Sequence, residues 1–404
     1  MRTRSPISLD RPAELVALTG VLTFTMTMAT LSQFVVGTLA PFLIDEFDIN
    51  RTQLGGLVTG AFLVAAVASP TVGVIVDRAR THRALAVLFL LVAAMYAGAS
   101  VAPSYLWLLV LLAIGGFAQA LSNPITNKVI AQRVPTYRRG VIIGLKQSGV
   151  QFGALLAGLI LPTAASQFGW RAAVLGVSAI ALIAAIVSGV GGRSLSVDQS
   201  PGGEVRGQRP RLTTEVRSLI TYAFLMGGGV ASTTVHLPLF AHEQLSFSPA
   251  LAGLTIAVAG SVAIVARIAW GRASDRVDNL WGMLGLLGAG AIVGTVLTLA
   301  SMAWPVAVWA AVVFLGVTAM AWNALAMIAA VRAAGPDSMG WVAGVVNSGF
   351  FAGFVISPVV FGALVDTTGR YELGWLLLIA MYVGAWAIGL YRGRDTQPQA
   401  PPMP

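Results

Sequence analysis

Residues 140–153 read GVIIGLKQSGVQFG, and residues 340–353 read GWVAGVVNSGFFAG. At an offset of 200 residues, the two stretches share a glycine at their first, fifth, tenth and fourteenth positions and a serine at their ninth. A second pair of similar motifs, GVIVDR at 73–78 and GRASDR at 271–276, lies 198 residues apart. Several matches at a nearly constant offset indicate that the chain is an internal duplication.

The glycines of the first pair of stretches recur every four or five residues and therefore lie roughly on one helical face. Small residues at such positions allow two helix backbones to approach closely. We expect tight packing to explain Gly140, Gly144, Gly340 and Gly344. The alternative is a close approach that changes during a conformational cycle.

The composition identifies the kind of protein in which this duplication occurs. Of the 404 residues, 56% are hydrophobic and 10% are charged, against about 25% charged in an average soluble protein. So few charges cannot cover a water-facing surface, which excludes a soluble enzyme or a nucleic-acid-binding module. The chain has no Cys, so disulfides and Cys-ligated metals are excluded, and three histidines make no metal cluster. We predict a polytopic membrane protein that needs no cofactor or metal.

A membrane span needs about 20 apolar residues, and twelve runs in the chain are long enough. We place them at 15–42, 52–76, 84–101, 105–131, 139–165, 171–190, 216–241, 249–271, 280–300, 304–331, 340–365 and 371–391. Two parallel repeats predict an all-α fold of two six-helix bundles, related by a pseudo-two-fold axis along the membrane normal.

The positive charges orient these spans. Nineteen arginines fall in segments on the side of the N-terminus, and three, Arg51, Arg171 and Arg370, fall on the other side. Both termini are therefore predicted to be cytoplasmic, in a cell inner membrane. The predicted parts are an N-terminal tail (1–12), a first bundle (13–190), a polar linker (191–217), a second bundle (218–392) and a C-terminal tail (393–404).

The Gly-x-x-x-Asp-Arg motif after spans 2 and 8 resembles the best-known motif of the major facilitator superfamily, and the resemblance covers the whole chain. The first copy continues as Ala79-Arg80-Thr81, where the family usually has a glycine followed by basic residues. The resemblance implies alternating access, in which two bundles rock about a central binding site. It also implies that the motif residues act in gating; these are Asp77, Arg78, Asp275 and Arg276.

In the resembled family the aspartate latches the two halves together on the inner side. If the same role applies to this chain, the resemblance implies that Asp77 faces the start of span 11 near Ser338. Asp275 would face the start of span 5 near Arg138 and Arg139. The alternative is that the Asp-Arg pairs mark solvated helix ends.

Three cations fall within spans, where an Arg or Lys costs about 2.5–3.5 kcal/mol at the bilayer centre. They are Arg267, Lys146 and Lys128, and all sixteen Asp and Glu lie at termini, in loops or at span ends. A cavity with uncompensated cations attracts an anion, so we predict that Arg267 and Lys146 bind an anionic substrate. The alternatives are that Arg267 snorkels to the inner surface, that Lys146 bonds to helix carbonyls, and that Lys128 snorkels.

The run RIAWGRASDR at 267–276 looks like span 8 of oxalate–formate exchangers and monocarboxylate transporters. Their arginine at the position of Arg267 binds the substrate carboxylate. Monocarboxylate transporters carry an Asp one turn earlier, where this chain has Ala263, so proton coupling of their type is not implied. The run GLKQSGVQ at 144–151 is similar to cyanate and nitroimidazole transporters.

Neutral polar residues within spans need partners in lipid and are candidates for completing the substrate site, although helix–helix hydrogen bonds also explain them. They are Gln33, Gln119, Asn123, Gln147, Gln151, Asn323 and Asn347. Trp322 and Phe350 are candidates for an aromatic wall, with packing as the alternative. His236 is a candidate for proton coupling, with a structural hydrogen bond as the alternative.

These observations predict a monomeric secondary active or facilitative transporter, in the lipid bilayer, for a small anionic, carboxylate-bearing solute. One alternative is a proton-coupled multidrug or neutral-compound exporter. Such exporters typically carry an acidic residue in span 1, an Arg in span 4 and a Gly-Pro motif in span 5, and this chain has none of these. Another alternative is a non-transporting membrane sensor. We expect no enzyme activity, because no nucleophile–base pair or metal set emerges.

Overall fold

The computed structural model describes residues 12–190, 212–333 and 339–395. Within these ranges, twelve helical segments are long and apolar enough to cross a membrane, which confirms the predicted number of spans. Most of the predicted N-terminal tail, most of the linker, Ser338 and most of the C-terminal tail lie outside the described residues. The helices, in chain order, are α1 (Pro12–Thr30), α2 (Ser32–Thr38), α3 (Ala40–Phe47), α4 (Arg51–Arg78), α5 (Thr81–Ser100), α6 (Tyr105–Arg133), α7 (Thr136–Gln147), α8 (Gly149–Phe168), α9 (Trp170–Val190), α10 (Thr214–Leu245), α11 (Pro249–Ser274), α12 (Leu280–Ala300), α13 (Ala307–Val317), α14 (Trp322–Ala333), α15 (Met339–Thr368) and α16 (Tyr371–Asp395).

Three of the predicted spans are interrupted rather than continuous. Span 1 breaks at Leu31 and Leu39, and span 5 breaks at Ser148. Span 10 breaks between α13 and α14, where the Met320 amide bonds to the Leu315 carbonyl, five residues back. Such a wide turn leaves carbonyls without a regular helical partner, and inside a membrane those carbonyls must be satisfied by the protein.

The described residues form two compact units. The described residues of the first unit lie within Met1–Val205 and Thr234–Ala257, and those of the second lie within Arg206–Thr233 and Val258–Pro404. The end of α10 and the start of α11 thus belong to the first unit, where Arg51 and Glu243 form an ion pair of 2.6 Å. The predicted bundle boundaries at the linker stay a prediction.

The duplication extends to the contacts inside each unit. In the first unit, a Cβ added at Gly116 would overlap the Ala61 carbonyl of α4, and one at Gly149 would overlap the Thr23 carbonyl of α1. In the second unit, a Cβ at Gly316 would lie 2.7 Å from the Ala259 carbonyl, and one at Gly349 would overlap the Ile220 carbonyl. Glycine is therefore required at these four crossings, because any side chain would push two helices apart.

The expectation of tight packing at the other glycines is wrong for three of them. A Cβ added at Gly140, Gly144 or Gly344 would meet no atom within 4 Å, and the surroundings of Gly340 are not among the described features. Within each repeat the close contact occurs one to two turns later, at Gly149 and Gly349. These two lie deeper in their spans, where a second helix crosses.

Candidate functional site

Arg267 lies on α11 in the second unit, seven residues before the last residue of that helix, or about 10 Å along its axis. Its Nε and Nη2 donate to the Met320 carbonyl at 3.2 and 3.0 Å. Met320 lies in the break between α13 and α14. Trp270 Nε1 donates at 2.8 Å to the carbonyl of Val317, the last residue of α13. The guanidinium thus binds the interrupted backbone of span 10, an arrangement different from snorkelling to the helix end.

An aromatic cluster in the second unit surrounds Trp322, the first residue of α14. The Trp322 ring is 3% exposed and lies 6.0 Å from the rings of Tyr222 and Phe350. Phe350 continues the cluster, with Phe354 at 4.5 Å. The structure therefore brings the two predicted aromatic residues together and adds Tyr222, whose hydroxyl donates to the Leu284 carbonyl at 2.8 Å.

Lys146, on α7 in the first unit, has a fully buried side chain. Its Nζ donates to Asn123 Oδ1 at 3.1 Å, to Thr126 Oγ1 at 2.7 Å and to Asn127 Oδ1 at 2.7 Å. An ammonium has three donors, so these three side chains of α6 use all of them. The partners are neutral side-chain oxygens, and the alternative of bonds to helix carbonyls is not what the structure shows.

The remaining predicted polar residues are distributed over both units. In the first unit Gln33 and Gln151 are buried, Gln119 and Gln147 are half-buried, and His236 is buried on α10. In the second unit Asn323 and Asn347 are half-buried, on α14 and α15. Asn123 is the predicted polar residue that the structure brings to Lys146; the roles of the others stay predictions.

Lys128, on α6, extends its side chain to the C-terminal end of α4, so its snorkelling to the membrane surface stays a prediction. Its Nζ donates to the carbonyls of Val76, Asp77 and Ala79, each at 2.9 Å. The last carbonyls of a helix have no partner within that helix, and Lys128 provides one for the end of α4. In the second unit, Arg332 Nη2 similarly donates to the Ser274 carbonyl at 3.2 Å, at the end of α11.

The four motif residues with proposed gating roles lie at these helix ends. Asp77, Arg78, Asp275 and Arg276 are all exposed. Arg139, a predicted neighbour of Asp275, donates to the Val134 and Ala131 carbonyls at 3.0 and 2.6 Å, which completes the end of α6. The inner latch stays a prediction.

Two features of the site were missed by reasoning from the sequence. Thr126 and Asn127 were not singled out, although Asn127 lies four residues after Asn123 and so shares its helical face. That spacing was the available signal. The break in span 10, at Thr318-Ala319-Met320-Ala321, was not predicted, because one threonine in an apolar run does not indicate an interrupted helix. Among the described residues, no group of three or more His, Asp or Glu could hold a metal ion.

The sequence is similar to those of known membrane transporters. Residues 22–358 match the model of the Major Facilitator Superfamily, so the chain belongs to that family. It is 25% identical to a probable sulfoacetate transporter of Cupriavidus necator, over 91% of both chains. It is 26% identical to the hexuronate transporter of Bacillus subtilis, over 37% of this chain and 35% of that protein.

Two further comparisons concern length and fold. An MFS-type transporter of Mycobacterium tuberculosis is 26% identical over 70% of this chain, and the match spans 64% of that relative's length. The crystal structure of a D-xylose–proton symporter superposes with a TM-score of 0.76 at 16% identity, covering 93% of this chain and 96% of that one. This similarity shows the major facilitator fold. The two relatives compared above are both named as transporters.

Proposed function

We propose that the chain is a secondary active or facilitative transporter that moves a small organic anion, carrying a carboxylate or a similar oxyanion, by alternating access. Arg267 in the second unit and Lys146 in the first supply the positive charge that selects the anion. The proposal includes a monomer in the cell inner membrane with both termini in the cytoplasm, as the distribution of arginines predicts.

The observation that carries the proposal is the environment of Lys146. Its ammonium is fully buried in a membrane-spanning helix, and its partners among the described residues are an alcohol and two amides. The positive charge is thus hydrogen-bonded but not neutralised. In a low-dielectric region such a charge attracts an anion far more strongly than in water.

Arg267 supports the same conclusion from the second unit. Its bonds to the Met320 carbonyl orient a planar guanidinium inside the span, and a guanidinium is suited to bidentate recognition of a carboxylate. Sulfoacetate and hexuronate, named for two relatives, are both anions. This agreement favours an anionic substrate over a neutral or cationic one.

The other candidates complete the proposed site. Gln33, Gln119, Gln147 and Gln151 in the first unit and Asn323 and Asn347 in the second are proposed as neutral hydrogen-bonding groups for the solute. Trp322 and Phe350 are proposed as its apolar wall, and His236 as a group coupling proton movement to transport.

The test is a pair of binding and uptake measurements on purified protein in proteoliposomes. The solutes are sulfoacetate, galacturonate and, as a neutral match for galacturonate, galactose. The variant Arg267→Gln removes one charge, and Arg272→Gln removes the same charge from an exposed position on the same helix. A lost charged hydrogen bond is worth about 1.5–3 kcal/mol, so we expect Arg267→Gln to weaken anion binding about 10- to 150-fold.

We expect Arg272→Gln to bind the anions as the parent protein does. Galactose binding as tight as galacturonate binding, with Arg267→Gln unchanged, would contradict the proposal and favour an exporter of neutral compounds.

A further inference from the structure

The amides that hold Lys146 have a second end that the ammonium does not use. Asn123 and Asn127 each accept a hydrogen bond from Nζ through Oδ1, so each Nδ2 group, with two N–H donors, points away from the lysine. Thr126 is the third partner of Lys146. Its hydroxyl donates its single proton to the Ser122 carbonyl of α6 at 2.7 Å, so it has no donor left for a ligand. The two amides are therefore the outward-facing part of the cluster.

Both amide nitrogens are available to a ligand. Asn127 is exposed and Asn123 is half-buried, and within the described ranges neither Nδ2 has a protein hydrogen-bond partner. Asn127 lies about 9 Å and Asn123 about 15 Å before the end of α6, both within a segment that is long and apolar enough to cross a membrane. An amide facing hydrocarbon would pay a large desolvation cost, so we expect these groups to face water or a ligand.

The lysine affects what those amides can bind. The hydrogen bonds of the Lys146 ammonium go to neutral side-chain oxygens. A hydrogen bond from a cation to an amide oxygen polarises the amide, and this makes the N–H groups of the amide stronger donors. The spacing of four residues places both amides on one face of α6. Two strengthened donor groups beside a buried positive charge are complementary to an oxyanion.

We propose that Asn123 and Asn127 form an oxyanion subsite, in which Lys146 acts as a positioning residue and does not itself contact the ligand. The subsite binds one carboxylate or sulfonate group of the transported solute. This inference rests on the proposed function and deepens it, because it adds Asn127 to the substrate contacts and replaces direct contact by Lys146 with contact through its amide partners.

The test compares substitutions that separate the two ends of the Asn127 amide. Asn127→Asp keeps an oxygen that accepts from Lys146 but replaces both N–H donors with a negatively charged group, which by itself repels an anion. Asn127→Ala removes both ends of the amide without adding a charge and is therefore the deciding variant. Gln244→Glu makes the same amide-to-acid change at an exposed position of the first unit and is the control. Binding of galacturonate and galactose, and the melting temperature, are measured for each protein in detergent.

We expect Asn127→Asp to bind galacturonate at least tenfold more weakly, with galactose binding and the melting temperature not reduced, and Gln244→Glu to match the parent. Asn127→Ala is also expected to weaken galacturonate binding. The rival hypothesis is that Lys146 contacts the anion directly. In that case the Asn127 oxygen competes with the anion for Lys146, and Asn127→Ala should bind galacturonate as tightly as the parent or more tightly. That result would overturn the inference.

The outcome also separates this inference from the proposed function. One possible result is that the parent prefers galacturonate to galactose, that Arg267→Gln abolishes this preference and that Asn127→Asp retains it. In that case the proposed subsite is wrong and the proposed function stands. If the parent has no preference for the anion, the proposed function fails, and the subsite is refuted with it.

Discussion

The crossing of α1 and the start of α8 allows a sharp test of the packing described above. Gly149 sits against the Thr23 carbonyl, and Thr27 Oγ1 donates to the Gly149 carbonyl at 2.9 Å. Gly144, on the same span, would meet no atom within 4 Å if it carried a Cβ. The two substitutions Gly149→Ala and Gly144→Ala add the same methyl group to opposite environments.

The size of the effect follows from the distances. A Cβ at Gly149 would lie 2.8 Å from the Met26 Cβ and still closer to the Thr23 carbonyl, so the two helices must separate. Overpacking of this kind costs about 1–3 kcal/mol, and loss of the Thr27 hydrogen bond costs about 0.5–1.5 kcal/mol more. The better helix propensity of alanine returns about 0.8–1 kcal/mol. The free energy of unfolding should therefore fall by about 0.5–4 kcal/mol in Gly149→Ala.

The assay is thermal unfolding followed by tryptophan fluorescence, since the chain has ten tryptophans. In a unit of about 200 residues, each kcal/mol shifts the melting temperature by about 2–4 °C. We expect a decrease of several degrees for Gly149→Ala. For Gly144→Ala we expect no decrease, because only the gain in helix propensity remains. Equal melting temperatures for the two variants would refute the claim that α1 and α8 touch at Gly149.

Two further predictions concern the end of α4. Lys128→Met removes three hydrogen bonds, to the carbonyls of Val76, Asp77 and Ala79, so we expect the free energy of unfolding to fall by about 2–4 kcal/mol. The measurement is thermal unfolding with Lys128→Arg as the control, and a Lys128→Met protein that melts like the parent would contradict the capping role. Asp77→Asn should slow uptake into proteoliposomes while the dissociation constant for the anion stays unchanged, because the predicted latch would act on inner closure and not on the substrate site. Uptake as fast as that of the parent would show that Asp77 is not part of a latch.

Reasoning from the sequence succeeded where one segment carries the whole signal. The twelve spans follow from the free energy of moving each segment into lipid, which is a sum over its own residues. The duplication follows from matching glycines at a constant offset, and the family motif was identified from six residues in each half. Arg267 and Lys146 stood out because a cation inside an apolar run is costly wherever it packs.

The same reasoning erred where the answer depends on a neighbouring helix. Lys128 and Lys146 both lie within spans, yet one caps α4 through three carbonyls and the other binds three side chains of α6. Gly144 and Gly149 share the same spacing pattern, and only Gly149 meets another backbone. The spacing of the glycines contains no signal that separates Gly144 from Gly149, and the position of a lysine within a span does not identify its hydrogen-bond partners.

The chain alone thus specifies how many times it crosses the membrane, that its halves are related, and which charges are out of place, since hydrophobicity and repetition are properties of single segments. Only the tertiary structure shows which oxygens the two cations bind. Arg267 donates to the Met320 carbonyl, and Lys146 donates to the side chains of Asn123, Thr126 and Asn127. A hydrogen bond requires two groups to lie about 3 Å apart, and that distance is set by the packing and register of different helices.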